Sequence, residues 1–190
     1  PKVTAAGIPM HTMGYGRTGV ADGKVFSNVF NYPANYWNGA SLIVNHLLDL
    51  NGGDIKGKKV HLVYHNSGYG KEPIRTFEEL AKKHGFELTL LPVDHPGQEQ
   101  KSQWRQIRRE RPDYVTMWGG GVMSAVAIQE AANRKYQMEN FIGVWWSGSE
   151  NDVLPAGDGA HGYKAITFHN VGSDFPVFDD LKKYVLDPGK

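Results

Sequence analysis

Short apolar runs alternate with amphipathic segments through the middle of this chain, and few folds accommodate that order. Residues 60–64, 86–93, 114–118, 141–146 and 162–168 each have the length and the apolar, β-branched or aromatic character of a buried strand. Residues 72–84, 100–109 and 122–134 read as the helices between them. Pro73 suits the first turn of one, Gly85 follows its end, and Pro112 closes the next. An earlier helix is read from Asn35, because Trp37, Ala40, Ile43, Val44 and Leu47 recur at helical spacing until Asn51-Gly52-Gly53 ends it. The order β-α-β-α-β-α-β-β, with short connections, predicts an α/β fold: a doubly wound, mainly parallel sheet covered on both faces.

The two ends do not extend this alternation. Residues 1–32 are rich in glycine and carry two extended runs, 6–10 and 24–30, before the Tyr32-Pro33 punctuation. A last helix is read at 177–185. These end segments are expected to be partial elements of a second lobe. The chain begins Pro1-Lys2-Val3 and stops at Pro188-Gly189-Lys190, ends that suggest processing or a piece of something longer.

Composition removes several function classes. A formal net charge of +1 argues against a wholly basic nucleic-acid binder. With no cysteine, a disulfide scaffold, a thiolate zinc site and a cysteine nucleophile are excluded. The longest apolar stretch, 41–50, is broken by Asn45, His46 and Asp49, short of the roughly 20 residues of a bilayer span.

In an open parallel sheet, ligands bind beyond the carboxyl ends of the strands. Those ends are rich in aromatic rings and glycines: Tyr69, Trp118, Gly119 to Gly121, Trp145 and Trp146. Rings stack on planar or apolar ligands, and glycines expose N–H donors at the start of the next helix. Ser67, Ser147 and Glu150 add polar handles. The alternative for each tryptophan alone is core packing beside the sheet, but four aromatics together at strand ends favour a site.

Other motifs fail on context. Gly14-Tyr15-Gly16-Arg17-Thr18-Gly19 has the dinucleotide spacing, but Asp22-Gly23 signals a turn where a helix is needed. Gly52 to Lys59 resembles a P-loop but ends in lysine and precedes a strand. His61 and His65 share a strand face without a third metal ligand nearby. Arg105, Arg108, Arg109 and Arg111 with Trp104 read as the solvated side of a helix whose apolar face is Trp104 and Ile107. No Gly-x-Ser-x-Gly elbow occurs.

The runs Gly57-Lys58-Lys59-Val60 to Tyr69-Gly70-Lys71-Glu72, Pro96 to Trp104, Arg111-Pro112-Asp113-Tyr114 and Gly143 to Glu150 resemble the type I periplasmic binding proteins. Within these they are most similar to the branched-chain amino acid (Leu/Ile/Val-binding) type of ABC-transporter substrate-binding protein. The resemblance covers essentially the whole chain and lies in order and spacing. It implies 1–32 as a partial first-lobe segment, 33–168 as the second α/β lobe, and 169–190 as the return to the first lobe. It implies a ligand site between lobes at Tyr15, Gly16, Tyr69, Trp118, Gly119, Gly120, Trp145, Trp146, Ser147 and Glu150, with no catalytic residue, metal or cofactor. Amino-acid binders of the family place an acid by the last of these loops. Here Trp145 and Trp146 stand there, with Glu150 the nearest acid, which shifts the expected ligand towards an aromatic or short organic carboxylate. The implied protein is an extracytoplasmic receptor, periplasmic or lipid-anchored in a Gram-positive host. It delivers a small solute to ABC permease subunits and neither spans the membrane nor binds nucleic acid. A ligand-sensing domain of a receptor or transcriptional regulator with the same architecture is the alternative.

Overall fold

The computed structural model describes residues 2–12, 16–168 and 172–187. In chain order the elements are α1 (Lys2–Ala5), β1 (Met10–Thr12), β2 (Val29–Asn31), α2 (Tyr36–Leu50), β3 (Lys59–His65), α3 (Gly68–Lys71), α4 (Ile74–His84), β4 (Glu87–Val93), α5 (Lys101–Glu110), β5 (Tyr114–Trp118), α6 (Val122–Asn133), β6 (Phe141–Gly143), α7 (Glu150–Val153), β7 (Lys164–Ala165) and α8 (Pro176–Leu181). Five strands form one sheet in the order β4-β3-β5-β6-β7. Every pairing in it is parallel. β1 and β2 pair separately, also in parallel.

The two central strands explain why the sheet must be covered on both sides. All of β5 is buried, as are five consecutive residues of β3. Neighbours along a strand point to opposite faces, so each strand feeds two cores. Leu62 and Trp118 join Ile43, Leu47 and Phe77 beneath α2 and α4. Val63 and Met117 join Trp104, Ile107, Met123 and Phe141 beneath α5 and α6. Helix ends follow local chemistry. Asn35 and Asn38 cap α2 reciprocally, and Gly85, at φ 74°, ends α4 in the left-handed conformation.

Several expected boundaries move. The Asp22 carbonyl accepts the N–H groups of Val25 and Phe26, which folds the start of the expected 24–30 strand into a turn, and pairing begins only at Val29. The expected 6–10 strand likewise starts at Met10, after a turn closed by the Gly7 and Ile8 N–H groups. β6 stops at Gly143 because residues 145–147 wind into a 3₁₀ turn. The 162–168 strand shrinks to the paired residues Lys164–Ala165. The helix expected at 72–84 starts at Ile74 as α4, and the short α3 precedes it in the expected loop. The last helix begins at Pro176 and continues as a wider turn through Leu186.

Candidate functional site

Chain connections leave β3 and β5 towards opposite edges of the sheet, so a crevice opens beyond their carboxyl ends. The loop after β3 supplies one wall. Ser67 Oγ accepts the Gly70 N–H at 3.3 Å and starts α3. Gly70 packs against the His65 carbonyl, where any side chain would overlap that oxygen. This close approach positions Tyr69, whose hydroxyl donates to the Gly119 carbonyl at 2.6 Å. Burial pushes that hydroxyl well above the ordinary tyrosine range, so it stays a proton donor.

Tyr36 supplies the floor. Its N–H donates to the Gly16 carbonyl at 2.7 Å. Its ring stacks on Trp145, with centroids 5.2 Å and planes 11° apart, and meets Tyr69 edge-on at 5.1 Å. The Trp146 indole N–H donates to the Tyr36 oxygen at 2.9 Å. Burial raises the Tyr36 hydroxyl to about 12, against the smaller opposing effect of the Trp146 bond. In that bond the Tyr36 oxygen is the acceptor.

Together Tyr36, Tyr69, Gly119, Gly120, Gly121 and Trp146 line an open hollow of about 350 Å³. No carboxylate and no cation lines it. Gly121, at φ 56°, opens α6 without a side-chain cap. The Ser124 N–H bonds to the Gly121 carbonyl at 3.0 Å, while the N–H groups of Val122 and Met123 lack intrahelical partners and suit an anionic oxygen. A second hollow of about 490 Å³ lies across Trp146, bordered by Gly121, Trp145, Ser149 and Asp152 among others. Trp146 and Gly121 line both.

The sequence-derived candidates divide into groups. Tyr69, Gly119, Gly120 and Trp146 line the first hollow, and Trp145 borders the second while stacking beneath Tyr36. Gly16 is buried behind them, and a Cβ there would stand 2.6 Å from Trp145. Trp118 is fully buried, edge-on to Tyr36, Phe77 and Trp145, and supports the floor from the core. Ser147 is also fully buried, and its hydroxyl bonds to Ser124 at 2.9 Å. Glu150 is exposed and lines neither hollow. Tyr15 lies outside the described residues.

Sequence reasoning missed three members. Tyr36 reads as an ordinary helix position, and only the Pro33-Ala34-Asn35 capping signal places it at a helix mouth. Asp152 closes a Ser149-x-x-Asp152 capping box, a signal legible in the sequence. Burial raises its carboxyl, and its Oδ2 accepts from both the N–H and the hydroxyl of Ser149. Glu72 reaches back to Thr18, whose N–H and hydroxyl both donate to Glu72 Oε2 at 2.7 Å.

A family profile described as periplasmic binding protein matches residues 1–178. The chain belongs to the periplasmic binding protein family. A solved structure titled an ABC transporter permease from the Pseudomonas fluorescens group is similar to all of this periplasmic binding protein chain, at 43% identity and a TM-score of 0.85. This chain corresponds to 46% of that one. A branched-chain amino acid ABC transporter from Thermus thermophilus with bound valine matches 96% of this chain and 47% of its own, at 20% identity and a TM-score of 0.79. A solute-binding protein of an ABC transporter from R. palustris, in complex with benzoate, matches 94% and 48% at 17% identity and 0.74. The chain thus spans about half the length of the solved structures it matches. No curated protein sequence matches it. The mainly parallel sheet with flanking helices is the type I α/β architecture of these relatives. No helix among the described residues is long and apolar enough to cross a membrane.

Proposed function

We propose that this periplasmic binding protein chain is about half of an extracytoplasmic solute receptor for an ABC uptake transporter, and that its solute is a small aromatic or organic carboxylate. The carrying observation is the neutral hollow between Tyr69 and Gly119–Gly121, walled by rings and glycines with no acid facing it. An α-ammonium group desolvated there would lack a counter-charge, which is strongly unfavourable. The one acid bordering the neighbouring hollow, Asp152, already caps α7 through Ser149. A carboxylate instead meets the Tyr36 hydroxyl proton and the open N–H groups at the start of α6, while an apolar body packs on Tyr36 and Trp146.

In this reading residues 33–168 form one lobe, and 1–32 and 169–190 belong to the other. Gly16 then supports the site from the first lobe, through its carbonyl bond to the Tyr36 N–H. Closure of the two lobes around the solute favours one conformation by differential contacts, and the closed form is what the permease subunits receive. The function requires no chemical step and no cofactor. Related folds hold benzoate, 3,4-dihydroxybenzoic acid and valine, so the solute class rests on the neutral lining of the hollow.

Calorimetric titration of benzoate, 3,4-dihydroxybenzoate, valine and leucine tests it, with Trp146→Ala in parallel. Aromatic carboxylates should bind at least about tenfold more tightly than the amino acids, with loss in the variant. Preference for valine or leucine would overturn the solute class and leave the receptor reading intact.

A further inference from the structure

Another hollow in the described residues lies at the other end of the sheet. It holds about 530 Å³ and is lined by Trp104, Ile107, Arg108, Arg111, Arg134, Lys135 and Tyr136, with Asp113 and neutral residues completing it. It is bounded by the C-terminal ends of α5 and α6 and by the entries to β5 and β6. The cleft candidates sit beyond the opposite strand ends, so the two hollows share no residue.

Four cations face one carboxylate in this space. That carboxylate, Asp113, is already engaged by Lys58 Nζ at 3.2 Å and by the Lys59 N–H at 2.8 Å. Arg134 pairs with Glu130. Among the described residues, Arg108, Arg111 and Lys135 have no ion-pair partner. Mutual repulsion is visible at Arg134, whose proton affinity falls first through burial and then through Arg105 and Arg108.

Cations commonly complement the negative ends of helices, and that accounts for basic residues near these termini. It does not account for the backbone. Arg111 at φ 47° and Lys135 at φ 54° are the two non-glycine residues of positive φ among those described. Both line the hollow. Glycine or asparagine is the usual occupant of such a position, and here each holds a long cation instead.

We propose that this hollow is a second binding site, which takes a multivalent phosphate-bearing anion through Arg108, Arg111 and Lys135. A monocarboxylate would neutralise one of these cations, whereas a pyrophosphate or a phosphate ester matches several. Guanidinium forks pair bidentately with phosphate oxygens, and the lysine adds a point charge. The volume suits a small molecule or a headgroup rather than a single bare ion.

Titration of the whole chain with inorganic pyrophosphate tests the site, and flotation with phosphatidylglycerol or phosphatidylcholine vesicles tests a lipid source. The informative variant is Arg111→Gly with Lys135→Gly, because glycine accepts positive φ and removes the charge without straining the backbone. Arg108→Gln is the second variant. Expected results are pyrophosphate or phosphatidylglycerol binding that weakens as salt rises and falls about tenfold or more in the double variant. Circular dichroism and the cleft titrations should be unchanged. Binding to phosphatidylglycerol alone, lost in the variant, supports the site and names a headgroup. Failure of the native chain to bind either probe, or equal binding by the double variant, overturns it.

Discussion

At the scale of single residues, Tyr36 joins the backbone of residue 16, the Trp145 ring, the Trp146 indole and the hollow. Tyr36→Phe keeps the ring stack and deletes the oxygen. Loss of the Trp146–Tyr36 hydrogen bond costs about 1 kcal/mol, and carboxylate affinity should fall several-fold in calorimetry with the fold retained. Unchanged affinity would remove the hydroxyl from the site. The same variant carries an alkaline signature. Tyr36 is raised to about 12 in the folded chain, against about 10 for an ordinary tyrosine. The folded state therefore holds this proton when the unfolded chain has released it. The associated stability is complete below pH 10 and is lost as pH rises from 10 through 12. Native and Tyr36→Phe stabilities should converge across that window. Trp118 behaves differently. It has no exposed surface, so Trp118→Ala reports core loss, about 3–5 kcal/mol by denaturant unfolding, rather than a lost ligand contact.

At the scale of elements, His61 on β3 gives a second pH signature. Its side chain is buried, with Nε2 3.4 Å from Glu110 Oε2 on α5 and Nδ1 without a partner among the described residues. Burial pushes its pKa below the ordinary value, only partly opposed by Glu110. The unfolded chain thus gains this proton first on acidification. The stability is present above about pH 6.5 and is lost as pH falls below it. His61→Leu should flatten the decline between pH 7 and pH 5 in urea unfolding, and an unaltered slope would show that other groups set it. The core strands were legible because an apolar run such as 114–118, between Pro112-Asp113 and a glycine triplet, has little else to become. The edges were not. Val144 continues the apolar pattern of 141–146, yet the chain turns there because Ser147 bonds back to Val144, a three-residue interaction that leaves no periodicity. β1 and β2 depend on each other across many intervening residues, and local sequence carries no trace of such pairing. The glycine and aromatic members of the cleft were visible as a concentration of residue types. Tyr36 was not, because its role comes from packing α2 across the strand ends.

At the scale of the whole molecule, the described part of residues 1–32 is tied to the α/β body by few bonds. The Tyr36 N–H donates to the Gly16 carbonyl at 2.7 Å. The Thr18–Glu72 pair spans the chain from the glycine-rich segment to the loop that carries Tyr69. Both Thr18 donors share one carboxylate oxygen, and Thr18 is buried. Glu72→Ala therefore leaves a buried N–H and a hydroxyl unpaired, a local penalty of about 2–3 kcal/mol. The sheet itself loses nothing, since Glu72 belongs to neither core cluster. Hydrogen exchange should accelerate by about tenfold or more in residues 16–31 and remain unchanged in β3 and β5. Carboxylate binding should weaken with it, because the Gly16 carbonyl that anchors Tyr36 would loosen. Uniform acceleration across the sheet would instead make the glycine-rich segment part of one cooperative unit with it, and would count against its assignment to a separate lobe. Fast exchange in the segment with full ligand affinity would detach the first 32 residues from the site altogether.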